Sequence, residues 1–218
     1  LAPQWAGRAR LRIGSLEPAD LHDKALKTLA GCRLMSPHLH LSLQSGSPEV
    51  LRRMGRGHYG PEQIFGFLQG QRRVWPVFGL GAELIAGFPG ETGEHVRQTM
   101  DVVERLPLSY AHVFPYSERP GTPAAAFPGS VPAHVRRERA KALRQVVAGK
   151  RAAFLRGLLA LPHMDVVPED GGTGMNEFYV ECLLEGDAPF TARELLRVAA
   201  VGVAAAGLVV RPFKGTEG

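Results

Sequence analysis

The richest concentration of reactive side chains begins at His38, where His-Leu-His-Leu-Ser-Leu-Gln-Ser-Gly-Ser runs to Ser47. Leu39, Leu41 and Leu43 alternate with His40, Ser42 and Gln44, the pattern of a strand with one apolar and one polar face. Ser47 is placed to cap a helix and Pro48 fits that helix's first turn. In a barrel wrapped by helices the leucines pack outward, and His40, Ser42 and Gln44 face a lumen that can take a polar ligand. Gln44, Ser45 and Ser47 add an amide, hydroxyls and backbone N–H groups at a helix start, which suits a carboxylate or a phosphate.

Three other stretches carry chemistry. Ser15 and Glu17 follow a candidate strand; the carboxylate there can hold an ammonium group or a ribose hydroxyl pair, or simply favour the N-terminus of the next helix. Gly87-Phe-Pro-Gly-Glu-Thr92 lets backbone approach a flat ring, although a plain strand-to-helix turn uses similar residues. Arg119, before Pro-Gly-Thr, can pair with an anion or stack on a base. Between Val131 and Leu161 eight basic residues face one acid, Glu138, inside a chain whose overall charge is +5. On a helix Arg137, Lys141, Arg144 and Arg151 share one side, and Leu143, Val146, Val147, Phe154 and Leu158 the other. That basic side is either a solvated face or an electrostatic footprint for RNA.

The elements that must position these residues read as four strand-then-helix units. Strands are expected at Arg10–Ser15, His38–Gln44, Gly79–Ile85 and Tyr110–Tyr116. Helices are expected from Pro18 to Ala30, Pro48 to Met54 and from Pro61, where Ile64, Phe65 and Leu68 face the core. Another follows a Thr92 cap, and the long basic helix comes last. Such alternation argues for an α/β fold with a parallel sheet, either open or part of a (βα) barrel, with its polar loops at the carboxyl ends of the strands. Residues 1–161 form this part. From 162 the texture changes: Pro162, Pro168 and Asp170-Gly-Gly-Thr-Gly174 read as linker and turn, with strands at Phe178–Leu184 and Gly207–Phe213. Residues 162–218 are therefore expected to form a small β-rich module. Its four basic residues (Arg193, Arg197, Arg211, Lys214) against nine acids suit phosphate poorly.

The bounds on the chain agree with this. Its 218 residues, 44% of them hydrophobic, can build a sizeable core. No run of about 18 uncharged apolar residues predicts a membrane span, and no secretory signal opens the chain. Cys32 and Cys182 are isolated and read as thiols of a reducing cytoplasm, with no metal site.

Taken in order, Arg12-Ile-Gly-Ser-Leu-Glu-Pro18, the His40–Ser47 stretch, Val50-Leu-Arg-Arg-Met-Gly-Arg56, Leu84-Ile-Ala-Gly-Phe-Pro-Gly-Glu-Thr92 and His112-Val-Phe-Pro-Tyr-Ser-Glu-Arg-Pro-Gly-Thr-Pro-Ala-Ala125 resemble the radical S-adenosylmethionine (SAM) methylthiotransferases. The resemblance runs from about Arg10 to Phe154. Its wording is most similar to the branch that acts on threonylcarbamoyladenosine beside the tRNA anticodon. It implies the third to sixth strands of a partial barrel, followed by a degenerate module of the TRAM type. It implies that Ser15, Glu17, Gln44, Ser45, Ser47, Ile85 and Gly87 lie around SAM and that Arg119 is the arginine after the sixth strand; Arg119, with Arg137, Lys141 and Arg144 of the basic helix, is expected to meet tRNA. The family's second cofactor, a four-iron four-sulfur cluster, is held by a Cys-x-x-x-Cys-x-x-Cys motif that this sequence does not contain; two isolated cysteines cannot replace it. Ala82-Glu83 stands where the family usually has Thr/Ser-Asp. The chain is accordingly expected to be the C-terminal portion of such an enzyme, inactive alone. It is expected to complement an upstream half, or to self-associate through an unpaired edge at Arg10–Ser15. A non-catalytic RNA-binding remnant and a phosphate-binding α/β-barrel enzyme are the alternative readings.

Overall fold

The computed structural model describes residues 3–5, 7–185 and 191–213, which divide into two compact units. Ile13–Thr28 and Leu39–Arg151 make up a sheet unit; the residues up to Arg12, Leu29–His38 and the chain from Ala152 make up a barrel unit.

In the sheet unit the alternation of residues 38–44 is realised as β1 (His38–Gln44), with Leu39, Leu41 and Leu43 fully buried. β2 (Gly79–Ala86) lies between β1 and β3 (Tyr110–Pro115). β2 and β3 run parallel, with Gly81 opposite Tyr110, Glu83 opposite His112 and Ile85 opposite Phe114. The buried face continues through Leu80, Ala82, Leu84 and Val113. Helices follow the strands: α1 (Asp23–Gly31) precedes β1, α2 (Pro48–Arg53) and α3 (Pro61–Val74) lead to β2, and α4 (Gly93–Arg105) leads to β3. The long basic helix is α5 (Ala133–Leu158), with Leu143, Val147 and Leu158 buried as its apolar stripe predicts. Thr92 caps α4 as expected, in a reciprocal box with His95.

Several sequence expectations are corrected here. Residues 10–15 form no strand: Leu11 bridges Met35 and Leu16 bridges Leu41 as single pairs. The backbone turns at Ser15, whose φ is 27°, so the two bridges cannot share one ladder. The Leu16 bridge still covers the outer edge of β1, with hydrogen bonds of 2.6 Å to the His40 carbonyl and 2.9 Å from the Ser42 N–H. The helix expected from Pro18 is a short 3-10 turn over Pro18–Asp20, and α1 starts only at Asp23. In α3 the buried apolar residues are Ile64, Phe67 and Leu68; Phe65 instead lies beneath the Arg105 guanidinium, 3.9 Å from its ring centre. Ser47 sits at the N-cap of α2, but its hydroxyl makes no cap bond.

The stretch read as a linker is the start of a closed five-stranded barrel: β4 (Met164–Pro168), β5 (Thr173–Asn176), β6 (Glu181–Leu184), β7 (Leu196–Val203) and β8 (Leu208–Pro212) in the order β4-β5-β6-β8-β7. All neighbours are antiparallel except β6 and β8. Met164, Val166, Cys182, Val198, Leu208 and Val210 fill the interior with Leu155 and Leu158 from the end of α5. Buried Asn176 organises the turn into β6: its Oδ1 accepts from the N–H groups of Phe178 (3.0 Å) and Val180 (2.8 Å) while Tyr179 takes a φ of 62°. The order is that of a Greek-key barrel of the oligonucleotide-binding type. Lys214, counted among the module's basic residues, lies outside the described residues. Among the described residues no helix is long and apolar enough to cross a membrane.

Candidate functional site

The polar face of the sheet carries the side chains that alternation placed there, plus others from its neighbours. β1 contributes His40, Ser42 and Gln44; the register of β2 and β3 puts Glu83 with His112 and Ile85 with Phe114 on successive rows. These side chains meet across strands. His40 Nδ1 lies 2.8 Å from the Tyr110 hydroxyl, and Nε2 lies 3.6 Å from Glu83 Oε1. The Gln44 amide nitrogen is 3.5 Å from Glu83 Oε2. The His112 ring lies 5.7 Å from that of His40 and 5.5 Å from that of Tyr110. Gly81 permits this assembly, since a Cβ there would stand 2.3 Å from Tyr110 Cζ and 2.5 Å from His40 Nδ1. Phe114, 54% exposed, adds an apolar step at the carboxyl end of β3.

Glu83, Tyr110 and His112 were missed by sequence reasoning. The signal was available: alternate residues of β2 and β3 must share a face with His40 and Gln44 once the strands are neighbours. What single-strand periodicity lacks is the register.

At the end of β1, Gln44 adopts a φ of 60°, a conformation that a non-glycine residue holds only when its surroundings enforce it. The enforcement comes from α4. Thr99 donates its hydroxyl to the His95 carbonyl at 3.0 Å, and its Oγ1 accepts from the Gly46 N–H at 3.1 Å. Its proton being so placed, Thr99 Oγ1 must also accept the Ser45 hydroxyl, 3.1 Å away. Gly46 has no room for a side chain, as its Cβ would lie 2.7 Å from the Thr99 Cα. Ser45 Oγ accepts from the Ser47 N–H at 3.1 Å, and the Ser45 N–H donates to the Leu43 carbonyl at 2.7 Å. The three backbone N–H groups of Ser45–Ser47 are therefore engaged internally. The anion cradle expected at Gln44–Ser47 does not form, because these donors anchor a strained turn, and the Glu83 carboxylate beside Gln44 repels an anion. Among the described residues the buried Ser47 hydroxyl has no hydrogen-bond partner.

The other expected residues are placed as follows. Glu17 receives Arg56 on both carboxylate oxygens, at 2.5 and 2.6 Å. Nearby, burial pushes the Tyr59 hydroxyl up to about 12, and this group donates to the Leu43 carbonyl at 3.0 Å. Ser15 lies at the turn two residues before Glu17. Ile85 lies on the face shared with Glu83, and Gly87 follows β2 with a φ of 81°. The close approach at Gly87 is to Arg136, whose Cγ would stand 2.4 Å from an added Cβ. The Gly87 N–H donates to the buried Glu91 carboxylate at 2.8 Å, which also accepts Arg139 Nη1 at 2.8 Å. Burial outweighs those partners and raises the Glu91 carboxyl above its ordinary value. Phe88 packs edge-on to Tyr116 and Phe127, closing the loops after β2 and β3 together.

Along α5 the arginines divide. Arg136 donates to the carbonyls of Val131 (2.6 Å) and Tyr116 (3.0 Å), and Arg144 to that of Val113 (2.5 Å) on the outer edge of β3. Those two side chains hold loops and a strand edge. Arg137, Lys141 and Arg119 are exposed. Among the described residues no group of three or more His, Cys, Asp or Glu is placed to hold a metal ion.

No family model matches the chain. Curated relatives do. The threonylcarbamoyladenosine tRNA methylthiotransferase of Rickettsia prowazekii is 43% identical over 136 residues, 62% of this chain and 32% of the relative. That of Thermotoga maritima is 37% identical over 139 residues, 64% and 32% of the two chains. The tRNA-2-methylthio-N(6)-dimethylallyladenosine synthase of Mycobacterium bovis is 42% identical over 133 residues, 61% and 26%. Among solved structures, the coproporphyrinogen III oxidase of Escherichia coli, described as a radical SAM enzyme, gives a TM-score of 0.48 at 22% identity, over 68% of this chain and 32% of that one. The chain spans about a third of the length of the first two relatives and about a quarter of the third. Over some three fifths of its own length, this chain is a homologue of the tRNA methylthiotransferases.

Proposed function

We propose that the sheet unit is the portion of a tRNA methylthiotransferase that holds the adenosyl part of SAM and presents the target adenosine of tRNA to it. The observation that carries this reading is the division of the sheet's two faces. One is sealed with leucine. The other gathers His40, Gln44, Glu83, Tyr110 and His112, polar groups that ordinary core packing would not place together. Homology to enzymes that modify tRNA adenosine supplies the substrate class.

SAM fits the residues present. Gln44 offers an amide at the carboxyl end of β1, and the buried Ser47 hydroxyl near it has no hydrogen-bond partner among the described residues. Ile85 supplies an apolar row for a flat ring, and Gly87 follows it at the carboxyl end of β2. Ser15, Ser45 and Glu17 serve by shaping the turns, Ser45 through Thr99 and Glu17 through Arg56. When bound and reductively cleaved, SAM supplies a carbon radical able to take hydrogen from an unactivated position. A four-iron cluster does not fit this chain. Cys182 is buried in the barrel, where burial pushes its thiol up to about 12, and Cys32 is the sole other cysteine. In this reading the cluster's cysteine ligands would come from an upstream half of the enzyme. Exposed Arg119, Arg137 and Lys141 supply phosphate contacts for tRNA. The barrel is the degenerate counterpart of the TRAM module, and the setting is the cytoplasm.

The test is calorimetry of the chain with SAM. Gln44→Ala is expected to weaken binding about 5-fold or more, as loss of one or two hydrogen bonds does. An equal affinity for the variant, or saturable binding of inorganic phosphate at Gln44–Ser47, would overturn the reading.

A further inference from the structure

We propose that Glu83 is a positioning residue: it fixes the side-chain amide of Gln44 so that the amide meets a ligand as a hydrogen-bond acceptor. An ionised carboxylate only accepts, so the Gln44 amide must turn its NH2 group toward Glu83 Oε2, 3.5 Å away. Its carbonyl oxygen Oε1 is then the group directed away from Glu83. Without the carboxylate the half-buried glutamine amide has no partner among the described residues that fixes its sense and can offer either end.

Glu83 is itself held. Its other oxygen lies 3.6 Å from His40 Nε2, and the second nitrogen of that ring lies 2.8 Å from the Tyr110 hydroxyl. The ring and the phenol meet over Gly81, where a Cβ would collide with both. At the far end, Gln44 is pinned at a φ of 60° by the Ser45–Thr99 and Gly46–Thr99 hydrogen bonds. A chain of four side chains, Tyr110, His40, Glu83 and Gln44, thus crosses all three strands and ends on one amide of fixed sense. Cross-strand networks of this kind are costly when half-satisfied, and they rigidify the last member when complete.

The consequence is a chemical class. The end of β1 selects a ligand group that donates hydrogen bonds, a hydroxyl or an amino group, and rejects phosphate and carboxylate. This deepens the proposed function and rests on its placing of Gln44 against the adenosyl group.

Two measurements on the full chain separate the inference from that reading. In the ¹H–¹⁵N spectrum the Gln44 side-chain amide should be displaced from the positions of a free glutamine, and Glu83→Ala should return it to them. Gln44 amide signals that do not respond to Glu83→Ala would overturn the inference. Should Glu83→Ala fail to fold, Glu83→Asp, which shortens the reach by one methylene, serves the same comparison. Adenosine is the probe for the second measurement. Glu83→Ala should weaken it about 5-fold in the native background and less than about 2-fold in Gln44→Ala, since the two act as one unit. An equal loss in both backgrounds would mean that Glu83 acts elsewhere. Absence of adenosine binding in the native chain would contradict the proposed function, while the amide signals would still decide the role of Glu83.

Discussion

The barrel unit and the sheet unit dispose of their polar groups in opposite ways. The barrel is closed: each strand finds two neighbours, its interior is apolar, and Asp165, with its side chain 16% exposed, already meets Arg10 and Arg197. The sheet unit keeps one apolar face, while on its other face His40, Tyr110, Glu83 and Gln44 reach one another at distances up to 3.6 Å, with the His112 ring 5.5 Å from that of Tyr110. Closure removes edges and satisfies ladder groups without outside help. The proposed function places the ligand against the polar face, where the 3.5 Å contact of Gln44 with Glu83 is of the kind that tightens when a ligand arrives. On the proposed function, the ligand falls to the unit whose polar groups are gathered on one sheet face and not to the unit whose strands close on themselves.

That contrast is most exposed to test at Glu91. In the sheet unit Glu91→Ala strands the Arg139 guanidinium and the Gly87 N–H in a buried place, at a cost of about 3 kcal/mol. Arg211→Ala, which removes an exposed pair with Glu185 in the barrel unit, should change stability by less than about 1 kcal/mol. Chemical denaturation of the two variants gives the comparison, and similar losses would dissolve the distinction between a clamped loop and a solvated pair.

The barrel holds a carboxyl whose ionisation burial opposes. Burial, with the Asp165 charge adding to it, lifts the Glu177 carboxyl to about 7, although it accepts the Asp165 N–H at 2.7 Å. A carboxyl raised above its unfolded value lends stability that is complete below the unfolded pKa and is lost as pH rises through the folded one. Barrel stability should therefore fall between about pH 4.5 and 7, by on the order of 2 kcal/mol. Glu177→Gln should flatten that profile when melting is followed across the range. A pH-independent native barrel would show that Glu177 is solvated.

A smaller effect is expected at Gly87→Ala. Its φ of 81° disfavours an L side chain, and the added Cβ would press on Arg136, whose stem must shift. The loss should be about 1–2 kcal/mol in denaturant. No loss would mean that the loop after β2 is free to relax and does not preset a ligand surface.

Much of the sheet was legible because its strongest signal is local. Leucine at every second position of residues 39–43 fixes one buried face whatever the neighbours are, and Thr92 announces a helix start by its own hydroxyl. The barrel was harder to read. β4 and β5 have five and four residues, they lie among prolines and glycines, and pairing with each other, with β6 and with distant β7 makes strands of them. The inward alternation of Met164, Val166 and Pro168 was the available hint. Arg10–Ser15 misled in the other direction, since its residues suit a strand until Ser15 turns. At the site, side-chain type pointed to Gln44 and His40, but the donors of Ser45–Ser47 were expected to face a ligand. They face Thr99 and their own turn instead, a tertiary fact that no spacing encodes.

The central claim, that the open polar face of the sheet and not the barrel receives the ligand, is met most directly by titrating the ¹⁵N-labelled chain with SAM. Shifts are expected at Gln44, Glu83, Ile85 and Gly87, with the signals of β4–β8 unmoved. Shifts confined to the barrel strands, or none at the end of β1, would contradict it.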